Sequence, residues 1–197
     1  MSHDEGYIKF ECFWEKAVWD ATIDFNELIA FRNEMHKHKL IGIFPDGIGY
    51  GNISQRISAE TFIISGSATG GVSKADKEQF SKVKKYSIDK NQIHCRGPMK
   101  ASSESLSHAA IYSLCPEVNF VLHAHNYEVW EKEKGILPST SQSATYGTPA
   151  MANSILSLLS AHPKEGIIIM TGHEEGILIF GSDPSAIKAL LKQLALI

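Results

Sequence analysis

The sequence predicts a mixed α/β fold, and three observations carry that expectation. Short apolar runs of strand length, Thr61-Phe62-Ile63-Ile64, Val118 to His125, Gly166 to Met170 and Ile177 to Phe180, are interleaved with stretches whose apolar residues recur every three or four positions. The runs at 166–170 and 177–180 follow one another across a short turn, so helices do not regularly separate paired strands as in a repeating βαβ chain. A length of 197 residues suits one ordinary domain, and no repeat, low-complexity tract or linker divides it. The expected organisation is a single domain over 1–197, with 1–23 as an N-terminal arm.

Composition narrows the classes of function. A hydrophobic content of 43% with 21% charged residues fits a globular protein, and a formal charge of -3 leaves no electrostatic footprint for nucleic acid. No apolar run is long enough to span a bilayer. The start, Met1-Ser2-His3-Asp4-Glu5-Gly6, is acidic and lacks the basic-then-apolar order of a secretory signal, so a cytoplasmic location is expected. Cys12, Cys95 and Cys115 are odd in number and irregularly spaced, which points to reduced, incidental thiols.

In chain order, Tyr7 to Trp14 alternates like a short strand or extended arm, suited to packing on the core or on a neighbouring subunit. Asp24 to Leu40 carries Phe25, Leu28, Ile29, Arg32 and Met35 at helical spacing, with His36 and His38 solvated near its end. Ile41 to Ser58 turns on Gly42, Pro45, Gly47, Gly49 and Gly51 before a strand begins at Ile53. Ser65-Gly66-Ser67-Ala68-Thr69-Gly70-Gly71 is a hydroxyl-rich loop that can cradle an anion or serve as a simple turn, and its spacing is not that of a P-loop. Lys74 to Lys85 reads as a charged surface helix anchored by Phe80 and Val83, and Tyr86 to Cys95 as extended. Helices are expected over 126–134, 150–162 and 184–196, with His162 capping the second of them.

The stretch that carries chemistry runs from Ala101 to Asn126. A helix is expected from Ser102 or Ser103, both good N-cap residues, with Glu104 in its first turn and its end before Pro116. Glu104 either complements the helix dipole or serves as a general base. The strand that follows alternates faces, so His123 and His125 emerge on one side, and two neutral imidazoles form half of a metal site.

These motifs resemble the class II aldolase/adducin family. The resemblance lies in Gly51-Asn52-Ile53-Ser54, Ile64-Ser65-Gly66-Ser67, Ser102-Ser103-Glu104 with His108, His123-Ala124-His125, Ala144-Thr145-Tyr146-Gly147-Thr148, and His173 through Gly176-Ile177-Leu178. It implies a three-layer α/β/α architecture around a central, mainly antiparallel sheet. It also implies a divalent metal, zinc in the family, held by His123, His125 and His173, and a phosphate bound by Asn52, Ser67, Ser102 and Ser103. Two departures stand out. Ala68 occupies a position where the family has glycine, and Glu174-Glu175 follow His173 where the family goes directly to glycine.

The implied reaction is aldol cleavage of a small phosphorylated sugar through an enediolate, with Glu104 as base. The family's proton-donating tyrosine falls in a segment that is shorter here; Tyr146 takes that role in the expectation, with Tyr127 as the alternative. Sibling reactions on the same logic are pentulose-phosphate epimerisation, whose branch typically carries Asp at position 104, and sugar-phosphate dehydration. A non-catalytic adducin-like binding domain is the third reading, disfavoured by the three retained histidines. A homotetramer with sites at subunit boundaries is implied by the resemblance.

Overall fold

The structure, a computed structural model, describes residues 7–161 and 166–197. In chain order the elements are β1 (Glu11–Lys16), α1 (Asn26–Lys37), β2 (Gly42–Ile43), β3 (Gly49–Tyr50), β4 (Asn52–Arg56), β5 (Phe62–Ser65), β6 (Phe80–Ser87) and β7 (Gln92–Gly97). They continue with α2 (Ser105–Leu114), β8 (Phe120–His125), α3 (Tyr127–Glu133), α4 (Pro149–Ala161), β9 (Ile167–Ile169), β10 (Gly176–Gly181) and α5 (Pro184–Gln193). Eight strands form one sheet in the order β1-β7-β6-β5-β4-β8-β10-β9, and β2 and β3 make a separate hairpin. Within the large sheet only β1 with β7 is parallel.

Helices cover both faces, as the three-layer expectation requires. One core holds Leu106 and Ala109 of α2 and Met151 and Ile155 of α4 against Ile64, Val121 and Leu178. The other holds Leu28, Phe31 and Met35 of α1 and Ile187 and Leu191 of α5 against Ile53, Ile63, Leu122 and Ile177. Period-2 alternation explains the division, since neighbours such as Val121 and Leu122 enter opposite cores. Every residue of β8 is buried, so this strand is apolar on both faces wherever it carries no histidine.

One sequence expectation fails. Lys74 to Lys85 is not a surface helix: Lys77–Gln79 form a single 3-10 turn, closed by a capping box from Asp76 and Gln79, and β6 starts at Phe80. The two anchors misled because a spacing of three suits one helical face. In the strand the same odd spacing sends Phe80 into one core and Val83 into the other. The capping role expected of His162 lies outside the described residues. All three cysteines are free, with Cys12 Sγ 3.8 Å from Cys95 Sγ across the β1/β7 pair.

Arg32, read from sequence as part of an amphipathic face, is fully buried. Its guanidinium donates to the carbonyl oxygens of Thr69 at 2.8 Å, Gly70 at 3.1 Å and also Val72, fastening the Ser65–Gly71 loop to α1. Burial pushes its pKa down to about 10, so it remains a cation at neutral pH. Replacing Arg32 with Met removes these three charge-assisted hydrogen bonds, and we predict a loss of about 2–4 kcal/mol in urea unfolding. An unchanged midpoint would show that the loop is held by other means.

Candidate metal centre and active site

The site grows from β8 and its two neighbours. His123 and His125 lie on the Val121 side of the strand, toward α2 and α4. On β4, Asn52 stands opposite His123; on β10, Leu178 stands opposite His123 and Gly176 opposite His125. His173 comes from the turn between β9 and β10, whose backbone is closed by His173 N–H to Met170 O at 2.9 Å and Gly176 N–H to His173 O at 3.0 Å. A Cβ at position 176 would sit 2.6 Å from His173 Cδ2, so glycine there lets the imidazole lean over the strand.

The three histidines converge. Their ring centroids are 4.8, 5.1 and 4.9 Å apart, all three residues are buried, and their candidate ligand atoms lie within 4.8 Å of one another. Burial, followed by the neighbouring His125, His173 and His108, holds the His123 imidazole well below its usual pKa. Neutral imidazoles are what a divalent ion requires. Three buried nitrogen donors from imidazoles are a donor set that suits a divalent ion, so these residues fit a bound metal of that class.

Asn52 is tied to this trio. Its carboxamide lies 3.2 Å from His123 Nδ1, and His123 Nε2 has no hydrogen-bond partner among the described residues. If Nε2 serves a metal, Nδ1 carries the proton, and a half-turn of the carboxamide presents Oδ1 as its acceptor. Gly51, at φ 71°, makes the close approach possible, because a Cβ there would meet Leu40 O at 2.6 Å and His123 O at 3.1 Å.

Asn52, Ser67, Ser102 and Ser103 line one small polar cleft together with Gly49, Gly66 and Gly70. Ala68, at its rim, holds φ at 60°, the left-handed region that glycine tolerates best. The helix begins later than its sequence suggests. Ser105 donates through both N and Oγ to Ser102 O, a separate turn forms, and Glu104 becomes the N-cap of α2 without a side-chain cap. Glu104 is fully buried and accepts Ser107 Oγ–H at 2.8 Å on Oε2.

Tyr146 is buried with its ring 5.0 Å from that of His173, and its Oη accepts Tyr7 N–H at 3.3 Å. Tyr127 is half exposed and its ring lies near Trp130. His108 is a core residue: its Nδ1 pairs with Ser54 Oγ at 2.7 Å, and Ser54 Oγ pairs with Tyr112 Oη at 2.8 Å. Three neighbours escaped the sequence reading. Lys9 sits with Nζ 3.7 Å from the Tyr146 ring centre, its stem beside Gly147, while Phe44 and Tyr50 place their rings 5.8 and 5.5 Å from His125. A lone lysine in an alternating arm and two aromatics in a glycine-rich turn carry no local signal for a site fifty or more positions away.

The Class II Aldolase and Adducin N-terminal domain model matches residues 26–195. The chain belongs to the class II aldolase/adducin family. No curated protein matches the sequence. Among solved structures, YgbL of Klebsiella pneumoniae, described as a candidate aldolase/epimerase/decarboxylase, is similar at TM-score 0.63 and 14% identity over 86% of this chain and 83% of that one. The L-fuculose-1-phosphate aldolase of Thermus thermophilus is similar at TM-score 0.55 and 19% identity, covering 87% and 86%. That of Glaciozyma antarctica gives 0.60 and 16%, covering 91% and 75%. These structures share the fold with this chain. Among the described residues, no helix is long and apolar enough to cross a membrane.

The buried histidines make stability depend on pH. Burial pushes His108 down to about 3 from its usual 6.5, and His123 is lowered in the same sense. The unfolded chain therefore binds protons that the folded chain refuses: this stabilisation is complete above about pH 6.5 and is lost as pH falls toward 3. That window is set by His108, which contributes about 1.4 kcal/mol per pH unit within it, and His123 acts in the same direction. Urea unfolding of the chelator-treated protein at pH 7.5 and 5.5 is expected to show the fall; equal midpoints would contradict buried neutral imidazoles.

Proposed function

We propose that the chain is a divalent-metal-dependent lyase that cleaves a small sugar phosphate by aldol chemistry, with zinc as the ion. The convergence of His123, His125 and His173 beside a polar cleft is the observation that carries the reading. An ion bound to the histidines would supply Lewis-acid stabilisation for negative charge developing on a ketose phosphate.

The chain's own residues divide the remaining work. Ser67, Ser102 and Ser103, with Asn52, bind the phosphate in the polar cleft they share. Asn52 serves both sites, touching His123 while lining the cleft. Glu104 follows these serines directly, and the bond from Ser107 fixes its carboxylate. In the condensation direction it takes the proton alpha to the carbonyl, leaving an enediolate; in cleavage it returns that proton to carbon. Tyr146 gives its phenolic proton to the aldehyde oxygen in condensation and recovers it in cleavage, its Oη held by Tyr7 N–H. Family membership supports a homotetramer with sites at subunit boundaries, and light scattering that reports a monomer would contradict it.

The test joins metal analysis to an assay of ketose phosphates for aldehyde release. The parent is expected to carry roughly one equivalent of divalent ion per chain, and His123→Ala to lose it. Glu104→Gln is expected to keep the metal and lose about 10²–10⁴ in turnover. A metal-free, inactive parent would favour a binding domain. Stereochemical change or water loss without aldehyde would assign the same site to an epimerase or a dehydratase.

A further inference from the structure

Glu174 and Glu175 are left over by the reaction above, and the structure separates them. Glu174 is exposed, whereas Glu175 turns inward, with Oε2 3.7 Å from His125 Nδ1. Its backbone is held at φ 66°, a left-handed conformation disfavoured for a residue bearing a Cβ. The surroundings impose that conformation: Glu175 O accepts Asn126 N–H at 3.0 Å, and the next residue, Gly176, pairs with His125 in the sheet. Glycine would fit this backbone without strain, so the glutamate side chain is retained against a conformational preference.

We propose that Glu175 is a positioning residue for the metal site, its carboxylate accepting the Nδ1 proton of His125 so that Nε2 is presented to the ion. The proposal rests on the three-histidine reading and adds a carboxylate to it. An imidazole that binds a metal through one nitrogen needs an acceptor for the proton on the other, and a carboxylate both fixes the tautomer and strengthens the donor. His123 has its outer partner in Asn52, and Glu175 fills the corresponding place for His125. The 3.7 Å separation is ion-pair distance, and a shift of about half an ångström brings it within hydrogen-bond reach. Phe44 and Tyr50 ring the imidazole and limit competition from water.

Zinc titration of the metal-free chain against a chelating dye tests the proposal, using Glu175→Gly, Glu175→Gln and, as a charge control, Glu174→Gln. Glu175→Gly removes the carboxylate and relieves the backbone, so its metal-free form is expected to melt no lower than the parent while its zinc dissociation constant rises about 10–100-fold. Glu175→Gln is expected to weaken zinc in the same direction and to alter the visible spectrum of the cobalt-loaded protein. Glu174→Gln is expected to stay within about threefold of the parent, since an exposed charge is screened. Zinc binding by Glu175→Gly within about threefold of the parent would overturn the proposal, as would an equal loss in Glu174→Gln. A parent that binds no divalent ion would instead overturn the three-histidine reading on which the proposal rests.

Discussion

The structure depends on how β8 is held. Antiparallel hydrogen bonds to β4 on one side and β10 on the other fix its register, and a slip of one residue would turn both histidines into the opposite core. That register sets Asn52 beside His123 and Gly176 beside His125, so one constraint delivers two of the three converging histidines, the asparagine beside one of them and the turn that brings in the third. Apolar packing on both faces enforces it, because Val121 on one side and Leu122 and Ala124 on the other are fully buried.

Placing polar groups in such a core is costly, and the chain answers with specific partners. Ser54 Oγ links His108 Nδ1 and Tyr112 Oη in a buried chain beside β8, and Arg32 takes up carbonyls of the Ser65–Gly71 loop. Trp130 of α3 donates to Met170 O at 3.0 Å, bracing the chain just before the turn that carries His173. The left-handed backbone at Ala68 and Glu175, flanking the cleft and the histidines respectively, marks where local preference yields to the site.

Much of this was legible in the sequence. Alternation in Val118 to His125 was enough to place two imidazoles on one face, and the order of motifs was enough for the family and the layered fold. What escaped has physical causes. The Phe80/Val83 spacing satisfies a helix face as readily as two faces of a strand covered on both sides. The inward turn of Glu175 depends on a φ angle that a Glu-Glu pair does not announce. Lys9, Phe44 and Tyr50 reach the site only through chain reversal. The start of α2 moved because Ser105 bonds back to Ser102, a choice among adjacent serines that propensity does not rank.

The central claim is that His123, His125 and His173 hold one ion between them. X-ray absorption at the zinc edge of the protein loaded with one equivalent of zinc tests it most directly. The account predicts nitrogen or oxygen scatterers at about 2.0–2.1 Å with the multiple-scattering signature of three imidazoles, reduced to two in His173→Ala. A sulfur shell near about 2.3 Å, or an imidazole count unchanged by that substitution, would contradict it.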